Sequence, residues 1–282
     1  EIHIGNWMAA RRNRDKVIVA TKISGPGRTY IRGGVPMDGK EIRKALDLSL
    51  GRLKTDYIDL YQLHWPNRGH YHFRQAWHYH PEKQPPKAEI LANMLECLEA
   101  LGEAVKAGKI RAIGLSNETT WGTAQFLALA EAHGLPRVAS VQNEYNLLYR
   151  PHDLDFAELS HHEDVGLLAY SPLAAGILSG KYIGGAKPAG SRASINGDLA
   201  GRLQPFQEPA VLAYREIARK AGLDVAAMAL AWTRSRPFMT SVIIGATSME
   251  QLKTNISAKD ISLDPEVKKA IDAVIRQYPM PI

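Results

Sequence analysis

The sequence predicts an α/β protein on a parallel sheet and, among parallel architectures, a (β/α)8 TIM barrel. Three observations predict it. Short apolar strand-like runs alternate with amphipathic helix-like segments along the 282 residues, the pattern of βαβ units. The strand-like runs are largely apolar on both faces, which suits parallel strands covered on each side. Residues of chemical interest stand at the ends of several runs, which is how a barrel assembles its site. A doubly wound sheet satisfies the first two observations equally; the third favours the barrel. Closure takes eight strands and six runs are present, so the first one or two β/α units are expected upstream of Glu1, at about 20–30 residues each. Residues 1–282 therefore read as a single barrel domain, incomplete at the N-terminus.

Glu1–Ala9 reads as the middle of an amphipathic helix. Strands are predicted over 17–22, 57–64, 110–116, 137–142, 165–171 and 240–245. Helices are predicted over 40–53, 89–107, 119–133, 152–163, 207–221, 225–235, 249–257 and 265–277. Asp38 with Glu41 three residues on has capping-box spacing. Ile90, Met94, Leu98, Leu101 and Val105 share one helical face, and Gly108 follows as a stop. Pro265 after Asp264 marks a helix start. Residues 182–206 are rich in glycine and lack periodicity, which fits a lid or plain mobile surface.

With 45% hydrophobic residues the chain can bury a full core. One cysteine, Cys97, excludes a disulfide framework and points to a reducing compartment, the cytoplasm. No run of about 18 apolar residues is present, so no membrane span is expected. A formal charge of +6 favours anionic ligands such as nucleotides, though a generally basic surface explains it as well. No Lys/Arg block, zinc spacing or RNA-binding motif appears, so no nucleic-acid partner is expected.

The stretch around which the chain is organised is Asp56-Tyr-Ile-Asp-Leu-Tyr-Gln-Leu-His-Trp-Pro66. Alternation puts Ile58, Leu60, Gln62 and His64 on one face. Pro66 ends the ladder and leaves His64 at the strand's last turn. Alone, such a histidine is more often a satisfied core residue than a catalyst. Lys22, at the end of Val17-Ile-Val-Ala-Thr-Lys22 and just before Gly25-Pro26-Gly27, stands in the same kind of place and strengthens the functional reading.

Five motifs occur in order: 56–66, Gly108-Lys-Ile-Arg-Ala-Ile-Gly-Leu-Ser-Asn117, Val141-Gln-Asn-Glu-Tyr-Asn146, Tyr170-Ser-Pro-Leu173 and Ile244-Gly-Ala-Thr-Ser248. Together they closely resemble the aldo-keto reductases, nicotinamide-dependent (β/α)8 barrels, with the detail nearest a bacterial branch and the potassium-channel β subunits as more distant relatives. The family's catalysis rests on Asp, Tyr, Lys and His. The resemblance implies Lys22 and His64 as two of these, with the Asp and Tyr expected upstream of Glu1. A phenol titrates near 10, so an ammonium beside it eases proton donation to a carbonyl oxygen. The reaction implied is reduction of an aldehyde or ketone by NADPH, in preference to NADH.

The resemblance further implies that Ser116, Asn117 and Gln142 hold the nicotinamide carboxamide and that Tyr170 stacks on the ring. Without it, Ser-Asn reads equally well as a helix cap. Ser171, Leu173, Lys181 and Arg192 resemble pyrophosphate contacts, and Gly245, Thr247, Gln251 and Asn255 adenosine contacts. Many members carry arginine where Gln251 stands, which weakens strict use of NADP; Arg192 or Lys253 could substitute. Ser248 and Gln251 have capping-box spacing, and such a helix start favours a phosphate. Trp65 and Trp77 are expected to wall the substrate pocket, together with the aromatic and histidine-rich segment 67–87. That segment lacks the carboxylates or thiols of a metal set, so no metal is expected. Two other readings stand beside the reductase: a non-catalytic NADPH-binding regulatory or partner subunit, and an aldolase with Lys22 as Schiff-base lysine. The partner expected is a small carbonyl compound; oligomeric state is left open.

Overall fold

The computed structural model describes residues 1–281, in two compact units that divide after Gln142. The first contains α1 (Ile2–Arg11), β1 (Ala20–Ile23), α2 (Gly39–Leu53), β2 (Ile58–Leu63), α3 (Lys87–Lys106), β3 (Ile110–Ser116), α4 (Thr120–Ala132) and most of β4 (Val138–Glu144). Its strands pair in parallel in the order β1-β2-β3-β4. The register sets Lys22 beside Gln62, Gln62 beside Gly114, and Gly114 beside Ser140. A Cβ at Gly114 would lie 3.1 Å from Gln62 Cγ, Leu60 Cδ1 and Ser140 Oγ, so the residue there has to be small. Ile58, Tyr61, Leu98, Leu101, Ile110 and Ile113 are fully buried.

The helix signals act as the spacing predicts, with one change of partner. Asp38 Oδ1 accepts from Glu41 N at 2.7 Å. The Glu41 carboxylate, however, accepts from Arg32 at 2.8 Å and not from the cap's own amide. Gly108 stops α3 at φ 73°. The strand expected over 17–22 begins only at Ala20. Ile18 is 87% exposed, and Val19 N donates to the Asp59 carboxylate at 2.9 Å in place of a ladder partner. Asp59 also accepts from Arg14 and Arg111, each at 2.8 Å, and these guanidiniums lie over the Tyr57 ring.

The second unit contains α5 (Asp155–Glu163), β5 (Gly166–Tyr170), the single-turn α6 (Arg192–Ile195), α7 (Glu208–Lys220), α8 (Val225–Arg234), β6 (Met239–Val242), α9 (Met249–Ser257) and α10 (Pro265–Gln277). β5 and β6 pair in parallel, and Tyr145 N donates to Tyr170 O at 3.3 Å just past β4. Tyr145, Phe156, Leu167, Tyr214 and Ile271 are fully buried. The stretch 182–206, expected as a lid or mobile surface, is mostly exposed and anchored by a few buried side chains, Tyr182, Ala193 and Leu199 among them. Among the described residues no helix is long and apolar enough to cross a membrane.

Candidate active site

In the first unit the adjacent ends of β1 and β2 carry Lys22 and His64. Main-chain bonding fixes their relation, since His64 N donates to Ile23 O at 2.9 Å. Both side chains are mostly withdrawn from water. Burial lowers the Lys22 pKa and so loosens the hold on its proton. Burial, then the charges of Lys22 and Arg28, depress His64 from 6.5 to about 4. At neutral pH the imidazole is therefore neutral, with one N–H to give.

Gln62 is fully buried on the same face. Its Nε2 donates to Leu115 O at 3.2 Å, while its Oε1 has no hydrogen-bond partner. The period of two in 58–64 already carried this signal. Tyr61 faces the other way, and burial with the nearby Glu1 charge raises its pKa. It is a poor acid.

Ser116 ends β3, and Asn117 follows in the left-handed conformation at φ 50°. Ser116 Oγ and Asn117 N both donate to Gln142 O, at 2.8 and 3.1 Å. Both N–H bonds of the Asn117 amide are committed as well, to His64 O at 3.0 Å and Ser116 Oγ at 3.1 Å. Asn117 thus ties the ends of β2, β3 and β4 together. The helix cap is Thr119, whose hydroxyl accepts from Gly122 N. The cap alternative for Ser-Asn is not what the structure shows.

Trp65 is buried against Gly25, its Nε1 donating to Pro26 O at 3.0 Å, its ring 4.8 Å from His64 and edge-on to Phe73. Trp77 is 82% exposed. The loop between them is pinned by Arg68, whose guanidinium grips the Glu118 carboxylate; both are nearly buried. His72 Nε2 lies 2.9 Å from Glu118 O. No group of three metal-ligating side chains occurs among the described residues.

In the second unit Tyr170 ends β5, Ser171 adopts φ 50°, and Asn146 Nδ2 donates to Ser171 O at 3.0 Å. Leu173 and Lys181 are half-buried, and Lys181 Nζ sits 5.3 Å from the Tyr182 ring. Arg192 is exposed on α6. Gly245, Thr247 and Gln251 are exposed at the start of α9, with Asn255 buried behind them and donating to Gly245 O at 3.2 Å. The Ser248 cap forms, accepting from Gln251 N at 3.2 Å. The Gln251 side chain turns back, its Oε1 accepting from Thr247 N at 3.0 Å.

One pair on this side escapes sequence reading. Arg202 donates Nε and Nη2 to the two Glu144 oxygens, at 2.9 and 2.8 Å. The contact joins residues 58 apart, so no local spacing announces it.

The model of the aldo/keto reductase family matches residues 1–276. The chain belongs to the aldo/keto reductase family. The fold of that family is the (β/α)8 barrel, and its members are in general oxidoreductases. The chain is 45% identical to "Protein tas" of Escherichia coli, over the whole of this chain and 81% of that protein. It is 38% identical to an "Aldo-keto reductase" of Babesia bovis, over 88% of this chain and 91% of that one. A "Putative voltage-gated potassium channel subunit beta" of Schizosaccharomyces pombe shares 28% identity over 96% of this chain and 74% of its own. Both resemblances read from the sequence, to a bacterial branch and to channel β subunits, are found.

Proposed function

We propose that this aldo/keto reductase reduces aldehydes or ketones to alcohols with NADPH, and that it does so in the cytoplasm. The observation that carries the reading is the pairing of a half-buried lysine with a neutral, half-buried histidine at adjacent strand ends. A dihydronicotinamide supplies the hydride. His64 donates its N–H to the carbonyl oxygen and orients it. Lys22 lowers the pKa of a phenol that gives the proton to the same oxygen, a role that a loosely held ammonium proton suits.

The donor set fits a nicotinamide carboxamide. A carboxamide needs both a donor and an acceptor. Because both Asn117 N–H bonds are committed within the protein, the donor falls to the half-buried Gln142 side chain. Ser116 acts by holding Asn117 in place. In the second unit the reading assigns Tyr170 to the ring face, and Ser171, Leu173, Lys181 and Arg192 to the phosphates. It assigns Gly245, Thr247, Gln251 and Asn255 to the adenosine. Exposed amides at the start of α9 suit a phosphate. Gln251, folded onto Thr247, brings no charge there, so preference for NADPH over NADH rests on Arg192 or Lys253. Trp65 lies beside His64, where it bounds the carbonyl site from one side.

The test is Lys22→Met assayed with NADPH and a panel of aliphatic and aromatic aldehydes. Turnover falls at least 100-fold, while NADPH still quenches tryptophan fluorescence. Turnover at the wild-type rate would refute the role of Lys22. NADPH binding by the wild type with no turnover on any carbonyl would instead favour the non-catalytic partner subunit.

A further inference from the structure

A cavity of about 220 Å³ opens between the outer face of β2–β3 and helices α3 and α4 of the first unit. Leu63 and Leu115, which are register partners, form its floor. Strand alternation turns both away from the face that carries Gln62 and His64. Met94, Cys97, Phe126 and Met37 form the walls, and Trp65 closes the end nearest His64.

Its buried polar lining is already satisfied, and the Glu89 carboxylate of the lining is exposed. Asn67 and Asn93 bond each other at 2.6 Å, and both donate to Met37 O, at 2.7 and 2.9 Å. Arg68 and Glu118 are joined as an ion pair. No lining side chain has a buried polar atom without a partner. The Cys97 thiol, pushed up to about 12 by burial, stays neutral. No buried polar atom is left to fix a water there, and a space lined in this way takes apolar guests. An apolar cavity of about 150 Å³ accepts benzene.

We propose that this cavity is a second ligand site, separate from the carbonyl site, for an uncharged aromatic compound of one or two rings. The volume sets the size: a substituted single ring or an indole fills it, and a steroid-sized molecule does not. The absence of a buried donor or acceptor without a partner sets the chemistry, because a charged group carried inside would lose its hydration with nothing in return, and the exposed Glu89 carboxylate in the lining further disfavours an anion. Met37 and Met94 supply adaptable walls for a flat ring, and Phe126 supplies an aromatic edge.

The experiment uses the whole chain labelled with methyl-13C methionine. Seven methionine signals are present, and Met37→Leu and Met94→Leu identify the two of interest. Toluene and indole are titrated separately. The expected result is a saturable ring-current shift of the Met37 and Met94 methyls, unchanged by NADPH and absent in Cys97→Phe, which fills the space. Crystals of the unaltered protein under xenon give the second measurement, with density expected between Leu63 and Met94, so the test survives if the filled variant does not fold. Shifts that grow linearly without saturating, or that persist in Cys97→Phe, would overturn the proposal, as would a cavity without xenon. Displacement of the ring by NADPH would overturn its separateness.

Discussion

Glu144→Gln tests the account of how the second unit holds its irregular segment. The Arg202 and Glu144 side chains are 10% and 3% exposed and meet through two charge-assisted bonds. Removing the carboxylate charge leaves a guanidinium nine-tenths buried, with the Leu199 carbonyl, 3.2 Å from Nη1, as a remaining acceptor. Breaking one side of such a pair costs about 3–5 kcal/mol. Unfolding entropy of about 2.1 cal/mol/K per residue scales to about 0.6 kcal/mol/K for this chain, so Tm falls by about 5–8 °C. Differential scanning calorimetry reads this directly. Two companions sharpen it. Glu216→Gln, in a pair exposed on α7, leaves Tm where it was. Glu144→Leu with Arg202→Met removes both charges and recovers most of the loss, because an apolar pair needs no compensation. A Glu144→Gln melt within 1 °C of wild type would refute the reasoning, and so would a double variant no better than the single one.

Three further outcomes are expected. Gly25→Ala would set a Cβ 2.3 Å from Trp65 Cδ1, so it lowers stability by about 1–3 kcal/mol and shifts tryptophan emission; an unshifted spectrum and Tm would count against the packing described. Buried histidines make the protein acid-sensitive. His64 and His70 are depressed to about 4 and His152 to about 3, so between pH 6.5 and 4 the unfolded chain binds more protons and stability falls as pH falls. His64 alone accounts for about 2 kcal/mol at pH 5, absent above pH 7, and a urea midpoint equal at pH 7 and pH 5 would contradict this. Asp38→Ala removes the cap of α2 and costs about 1 kcal/mol in urea denaturation, whereas no loss would mean that the bond to Glu41 N is replaced by water.

What was legible in the sequence was local. The period of two in 58–64 and the proline at 66 gave β2 and the position of His64. The spacings Asp38–Glu41 and Ser248–Gln251 gave real caps, because a cap is made by atoms three residues apart. Where each cap's second partner goes is a tertiary matter. Glu41 is drawn to Arg32 and Gln251 to Thr247, and spacing carries neither fact. The early start predicted for β1 failed because hydropathy cannot tell that Val19 bonds a carboxylate 40 residues away. The anchors of 182–206 were hidden for the same reason. A glycine-rich stretch without period gives no sign that one of its arginines is buried on a glutamate 58 residues away. The commitment of both Asn117 N–H bonds was equally invisible, and it decides which side chain is left to donate.

Two irregular stretches, after β2 and before α7, each carry one arginine set into a glutamate at or just past a strand end: Arg68 on Glu118, and Arg202 on Glu144. Between Arg74 and Gln84 most side chains face solvent, so insertions or swaps there reshape the loop after β2 without disturbing the strand before it. Substitution costs little in the exposed overhang and much at the buried ion pair. Directed-evolution libraries are best drawn with the same boundary.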